Sequence, residues 1–222
     1  MDARTGVRRW RYDVPAGGPE AGLRFAGSPA VDGRTVYVTW GANVTALDAG
    51  SGRVRWQFGM PGDTTASVAA AGPVVHMAVY AGPAVALDAG SGRPRWEVPI
   101  GAAGAASGLV GRAVVAAGDA VYVRGEDQRV HALDAATGAL RWAQPDRAVD
   151  GAAAVVGPAL DAADPGVVYC GADNGRLYAL DAADGVRRWE YAGPSGWATA
   201  LVADAGLVYV GGSARLEAVA DA

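Results

Sequence analysis

Short runs in which apolar and polar positions alternate recur along the chain: Val-Tyr-Val around Tyr37, Val-His-Met around His76, Val-Tyr-Val around Tyr122, Val-Tyr-Cys around Tyr169 and Val-Tyr-Val around Tyr209. Period-two alternation in runs this short predicts half-buried strands, and no segment shows the 3.6-residue period of a helix. Nine or ten residues after four of these tyrosine or histidine positions stands Ala-Leu-Asp, at Ala46, Ala86, Ala132 and Ala179. Each unit therefore parses into four strands: an inner one such as SPAV from Ser28, the Val-Tyr-Val strand, the strand ending in Ala-Leu-Asp, and a last strand carrying Arg-Trp.

The link between the last two strands is the most regular feature. Asp-Ala-x-[Ser/Thr/Asp]-Gly-x-x-Arg-Trp occurs five times, as DARTGVRRW from Asp2, DAGSGRVRW from Asp48, DAGSGRPRW from Asp88, DAATGALRW from Asp134 and DAADGVRRW from Asp181, at intervals of 46, 40, 46 and 47 residues. The string predicts a tight turn in which the Asp carboxylate accepts backbone N–H groups and the Gly supplies positive φ. The final unit reaches its third strand at Leu216 to Val219 and has Ala220 in the Asp register, whereas Asp2 to Tyr12 is a turn and fourth strand with nothing before it. A four-stranded unit repeated every 40 to 47 residues predicts an all-β fold, a β-propeller of five four-stranded blades in one domain over residues 1–222. Residues 2–12 are expected to complete the last unit and close the ring. The alternative is an arc of a larger ring. A closed ring would be a monomer, and ends that pair between chains would give a dimer.

Composition narrows the function more than the fold. The 222 residues, 51% of them hydrophobic, suffice for a core without disulfide or metal, and all 19 basic residues are arginine, which removes lysine Schiff-base and phosphate-loop chemistry. A net charge of −4 argues against nucleic acid or an anionic membrane surface as partner. Val68 to Leu87 is long enough to span a bilayer, but the repeat divides it into strands and turns, so no inserted helix is expected. The N-terminus reads MDARTGVRRW, with no apolar segment behind its charges, and no secretory signal is expected; the compartment stays open. The Ala, Gly, Val and Arg bias matches a GC-rich, actinobacterial-like composition.

The string V-Y-V…G-x-x-x-A-L-D-A-x-x-G-x-x-x-W resembles the repeat of pyrroloquinoline-quinone-like propellers, the quinoprotein alcohol dehydrogenase-like superfamily, over essentially the whole chain. The resemblance implies either of two kinds of protein. Quinoprotein dehydrogenases are larger, bind the quinone through calcium and a catalytic Asp, and usually carry a vicinal disulfide, which Cys170 alone does not allow. Non-catalytic relatives include outer-membrane assembly lipoproteins and extracytoplasmic sensor domains of actinobacterial protein kinases, which implies an extracytoplasmic module of a larger protein.

Against that frame each residue type receives a role. Trp10, Trp56, Trp96, Trp142 and Trp189 recur once per unit and are expected to wedge between blades with their N–H on a carbonyl. The arginines before them (Arg9, Arg55, Arg95, Arg141, Arg188) are expected to point outward as a solvated rim. Asp48, Asp88, Asp134 and Asp181 are turn residues, since symmetric carboxylates do not make one active site. Cys170 fills the slot of Val38, Met77, Val123 and Val210, His76 fills a tyrosine slot as a packed substitute, and His131 is expected at an exposed position. No triad, zinc set or calcium loop assembles from these, nor from Glu126/Asp127, Asp161/Asp164 or Asp173/Asn174.

The residues that break the repeat point to binding. From each Trp to the next repeat's Asp the spacing is 38, 32, 38 and 39 residues, and the extra length is expected between blades, as in DVPAGGPEAGLR from Asp13 and AQPDRAVDG from Ala143. These loops share a face with the second-to-third strand loops, opposite the Asp-Ala turns. The candidate ligand-binding residues on that face are Phe25, Trp40, Tyr80, Arg124, Glu126, Asp127 and Trp197. The expected function is a non-catalytic module that binds or senses a protein, peptide or small molecule, with no cofactor and no metal. The alternatives are a fragment of a quinone- and calcium-dependent dehydrogenase, or a scaffold that only docks proteins.

Overall fold

A computed structural model describes residues 4–13, 28–40, 43–59, 68–79, 82–100, 114–124, 129–144, 153–157, 166–171, 176–192, 200–204, 207–211 and 216–220. Every regular element among them is a strand. Four antiparallel sheets have four strands each: β1 (Ala30–Asp32), β2 (Thr35–Trp40), β3 (Asn43–Asp48) and β4 (Val54–Gly59); β5 (Val68–Ala71), β6 (Val74–Ala78), β7 (Ala84–Asp88) and β8 (Pro94–Val98); β9 (Val114–Ala117), β10 (Ala120–Arg124), β11 (Val130–Asp134) and β12 (Leu140–Ala143); β13 (Ala153–Gly157), β14 (Val167–Gly171), β15 (Arg176–Asp181) and β16 (Arg187–Ala192). The fifth holds β17 (Ala200–Asp204), β18 (Leu207–Gly211) and β19 (Leu216–Ala220). Each sheet is a meander in sequence order. The apolar run that mimicked a membrane span is β5, β6 and β7, and no helix among the described residues is long and apolar enough to cross a membrane.

Register explains the repeat. Tyr37 opposes Ala46, which opposes Trp56, so the three share one face of the first sheet, and that face packs on Val75, Met77, Val85 and Leu87 of the second. The same arrangement joins the third sheet to the fourth through Tyr122, Ala132 and Trp142 against Val168, Cys170 and Leu180. Leu47, Leu87, Leu133 and Leu180 are essentially inaccessible, and burying such a side chain is worth about 1.5–3 kcal/mol relative to exposure. The core is therefore the set of sheet-to-sheet junctions, stacked like the blades of a propeller, with inner strands β1, β5, β9, β13 and β17 successive neighbours.

Two expectations change. The spacing from each Trp to the inner-strand residue opposite the Tyr or His is long for Trp10 to Ala30 and Trp96 to Val115, but equally short for Trp56 to Ala69, Trp142 to Val155 and Trp189 to Val202. The extra residues of the fourth unit thus do not lie in AQPDRAVDG. They separate Gly157 from Val167, where β13 meets β14, and the corresponding turns elsewhere are two residues, such as Gly33–Arg34 between Asp32 and Thr35. That insertion is at the same end of the blade as the Asp-Ala turns, so length variation is not confined to the opposite face.

Ring closure is half present. Trp10 sits on the first sheet with Tyr12, packed on Val38, Trp40 and Leu47, as an outer strand of a preceding blade would. Residues 6–13 are in no sheet among the described residues, and β17–β19 has three strands. Packing of β17 on β1 does not reach the extent seen between the other inner strands among the described residues.

Candidate functional site

The Asp-Ala-x-x-Gly turn builds itself from its own side chains. Asp88 Oδ1 accepts the backbone N–H of Gly90 (3.2 Å) and of Ser91 (2.9 Å) and the Ser91 hydroxyl (2.8 Å), while Gly92 N–H donates to the Asp88 carbonyl at 2.8 Å. Asp48 and Asp134 repeat this with Ser51 and Thr137. Asp181 has Asp184 where the others have Ser or Thr, so it keeps the bond from Ala183 N–H, at 2.8 Å, without a hydroxyl at that position. Ala89 N–H reaches the Pro73 carbonyl, tying the turn to the β5–β6 turn at the same end of the blade, and Ala49, Ala135 and Ala182 do likewise in their sheets.

Arg55, Arg95, Arg141 and Arg188 are exposed, as a solvated rim requires, but each is also paired. Between the third and fourth strands the register shifts by one residue in all four complete sheets, so that Ala86 opposes Trp96 while Leu87 opposes Pro94. Arg55, Arg95, Arg141 and Arg188 are the extra residues of these β-bulges, and a bulge re-aims its side chain. Each guanidinium turns back to its own turn Asp: Arg55 to Asp48 at 2.7 Å, Arg95 to Asp88 at 2.6 Å, Arg141 to Asp134 at 2.7 Å and Arg188 to Asp181 at 2.8 Å. Hydrogen bonds from Arg95 and then Ser91 lower the Asp88 carboxyl to about 2, and those from Arg141 and Thr137 do the same for Asp134. Asp48 lies lower still for the same reasons. Burial pushes Asp181 up, but Arg188 and Ala183 N–H outweigh it and hold the carboxyl below its usual range.

Four of the five repeat tryptophans are seated as expected. The indole N–H of Trp10 donates to the Ala49 carbonyl (2.8 Å), Trp56 to Ala89 (2.9 Å), Trp96 to Ala135 (3.1 Å) and Trp142 to Ala182 (3.0 Å), each time in the next sheet's turn. Tyr122 hydroxyl adds a second bond to the Ala182 carbonyl at 3.3 Å. His76 Nε2–H takes that role toward Ala135 at 3.1 Å, with its ring tilted on Trp96, so the histidine is a working substitute for tyrosine. Burial, and then Arg95, lower its pKa, against the opposing pull of the Ala135 carbonyl. Trp189 is tilted on Tyr169 as Trp56 is on Tyr37, with centroids 5.8 Å apart in both pairs.

Of the seven candidate ligand-binding residues, Phe25, Tyr80, Glu126, Asp127 and Trp197 lie outside the described residues. Trp40 is 6% exposed, donates to Thr45 Oγ1 at 2.9 Å and packs with Trp10 and Tyr12, so it is a junction residue and not an open binding surface. Arg124 ends β10 opposite Val130 and is 5% exposed, in a register slot held by Thr39, Ala78, Gly171 and Gly211 in the other sheets. Beside it Gln144 N–H donates to the Val130 carbonyl at 2.8 Å, and the Gln144 side chain is buried where other units carry Phe58, Val98 and Tyr191. Gln144 Oε1 has no hydrogen-bond partner among the described residues. The sequence carries a signal for it, since Gln144 is polar in a slot that is apolar or aromatic in the other units. Arg124 and Gln144 bring two buried polar side chains to the loop end of the third blade, toward the fourth.

Other chemistry is spoken for. Cys170 is buried, and desolvation pushes its thiol up to about 12, so it packs and does not react. His131 is buried and not exposed, because its slot, shared with Thr45, Val85 and Tyr178, faces a sheet-to-sheet junction. Among the described residues no three His, Cys, Asp or Glu side chains come together as a metal site. Asp161/Asp164, Glu126/Asp127 and Asp173/Asn174 lie outside them.

The family model for outer membrane protein assembly factor BamB, a PQQ-type repeat, matches residues 1–68 and 41–220. The chain belongs to the PQQ-like β-propeller repeat family. BamB from Moraxella catarrhalis superposes with a TM-score of 0.56 at 19% identity, over 88% of this chain and 71% of that one. Quinohemoprotein alcohol dehydrogenase ADHIIG from Pseudomonas putida HK5 superposes with a TM-score of 0.64 at 20% identity, over 89% of this chain and 42% of the dehydrogenase. These likenesses are of fold. In sequence, 61 residues are 44% identical to serine/threonine-protein kinase AfsK of Streptomyces griseus, covering 28% of this chain and 7% of the kinase, so the chain spans a small part of that relative.

Proposed function

We propose that this PQQ-like propeller is a non-catalytic binding or sensing module whose ligand, a small molecule or a peptide, is taken at the loop end of the blades. The observation that carries the reading is the division of labour between the two ends. At the turn end the Asp, Gly, Arg and Trp of each repeat are engaged in the repeat's own bonds. At the loop end of the third blade, Arg124 and Gln144 break the repeat with buried polar side chains, and a buried polar atom without a protein partner among the described residues, as Gln144 Oε1 is, is a group that a bound ligand or water would satisfy. The similarity to part of a protein kinase supports a sensing role.

The alternative, a quinone- and calcium-dependent dehydrogenase fragment, draws support from the superposition on ADHIIG. Among the described residues no three His, Cys, Asp or Glu side chains come together as calcium ligands would. Melting temperatures with panels of small carboxylates, sugars and peptides, and with pyrroloquinoline quinone plus calcium, separate the two. Ligand at a hundred times its Kd adds about 2.7 kcal/mol. A shift with one ligand class that Arg124→Met or Gln144→Leu removes supports the binding module; a shift with quinone and calcium, accompanied by dye reduction from a primary alcohol, replaces it with the enzyme.

A further inference from the structure

Both ends of the blade array present the kind of face that every internal junction covers. Tyr209 is 38% exposed, whereas Tyr37, Tyr122 and Tyr169 in the same register are 2–4% exposed, and Leu216 beside it is 72% exposed. Leu216 opposes Gly211, two residues beyond Tyr209 on the same side of the sheet, so the forward face of β17–β19 lies open. At the other end Val31 is 63% exposed and Val36 opposite it is half-buried, while Val75, Val121, Val168 and Val208 in the Val36 slot are at most 1% exposed. The outer half of that face is already covered, by Trp10 latched to the Ala49 carbonyl. Among the described residues one end therefore has a three-stranded sheet, and the other carries an outer segment, residues 6–13, that is in no sheet.

We propose that these two ends join between copies of this chain. The occupant of the open β17–β19 face is the first sheet of a second copy, with its Val31 and Val36 against Tyr209 and its residues 6–12 added along β19 as the fourth strand. The two surfaces are apolar and differ from each other, so the contact is head to tail, and an exposed edge strand is a ready template for strand addition. A second copy is favoured over the chain's own first sheet because, among the described residues, β1 and β17 do not pack on each other as the successive inner strands do.

Two exposed substitutions test this without disturbing any internal junction. Tyr209→Asp disables the forward face and leaves the first sheet intact; Val31→Asp does the reverse. Sedimentation of the 222-residue chain is expected to show a dimer or larger assembly, and each variant alone a monomer. Mixed together, the variants retain one good face each and should form a 1:1 dimer. Hydrogen exchange should show the Leu216–Ala220 amides protected in the assembly and exchanging in either variant alone. A wild-type monomer at about 100 μM overturns the proposal, with protected β19 amides indicating closure within one chain and free exchange indicating an end that no copy covers. A mixture of variants that stays monomeric overturns it as well.

Discussion

The ring of Trp56 lies over Gly92 of the next blade so closely that a Cβ on that glycine would stand 2.6 Å from the indole. Gly92 also has φ of +71°. Gly72, in the β5–β6 turn, has φ of +57° and open space where its Cβ would be. Gly72→Ala is expected to cost only the left-handed backbone, about 1–2 kcal/mol. Gly92→Ala adds overpacking of about 1–3 kcal/mol. Urea midpoints of the two variants measure the difference, with Gly92→Ala clearly the worse.

Lowered turn carboxylates make the fold acid-sensitive in a defined window. Asp88 and Asp134 titrate near 2 in the folded chain and from 3.8 when free of their partners, so between those values the unfolded chain binds more protons. The stability they contribute is present above about pH 4 and is lost as pH falls toward 2. Melting temperature against pH should drop across that interval, and Asp88→Asn together with Asp134→Asn should flatten the drop.

His76 predicts a second, milder slope. Its folded pKa lies below 6.5, so the unfolded chain takes up its proton first, and stability declines as pH falls below about 6.5. His76→Tyr restores the residue that makes the equivalent bond in the third blade, Tyr122 to Ala182. The variant should fold and lose the slope between pH 7 and 5 in melting-temperature profiles.

Cys170 should behave as a core atom. At pH 8 in native buffer it is expected to resist a disulfide-exchange reagent such as Ellman's and to react fully in denaturant, because a thiol pushed up to about 12 is not a thiolate. Cys170→Val puts at that slot the residue found at Val38, Val123 and Val210, and its cost should stay under about 1.5 kcal/mol.

The four strands per repeat, the strand order, the turn role of Asp48, Asp88, Asp134 and Asp181, and the wedge role of the tryptophans are legible because each follows from spacing along one strand or across one hairpin. The exposure of the arginines follows from the pattern, but their pairing does not, because strict alternation has no place for a bulge, and one extra residue per fourth strand sends Arg95 back to Asp88. Trp40 and His131 were placed on an open surface because an isolated copy shows both sides of a sheet; which side meets a neighbour depends on the register with Thr45 and Val123 and on the blade before. Gln144 was visible as a polar residue in an apolar slot, but only its burial gives that weight.

The central claim is that an indole seated on the next blade's turn glycine, as Trp10 on Gly52, Trp56 on Gly92, Trp96 on Gly138 and Trp142 on Gly185, fastens the blades, and a double-mutant cycle on Trp56 and Gly92 tests it most directly. If the contact is real, Gly92→Ala costs less in a Trp56→Leu background, because the clash is gone and only the backbone strain remains. The coupling is then expected to reach at least about 1 kcal/mol. Costs that add to within about 0.5 kcal/mol would contradict the account.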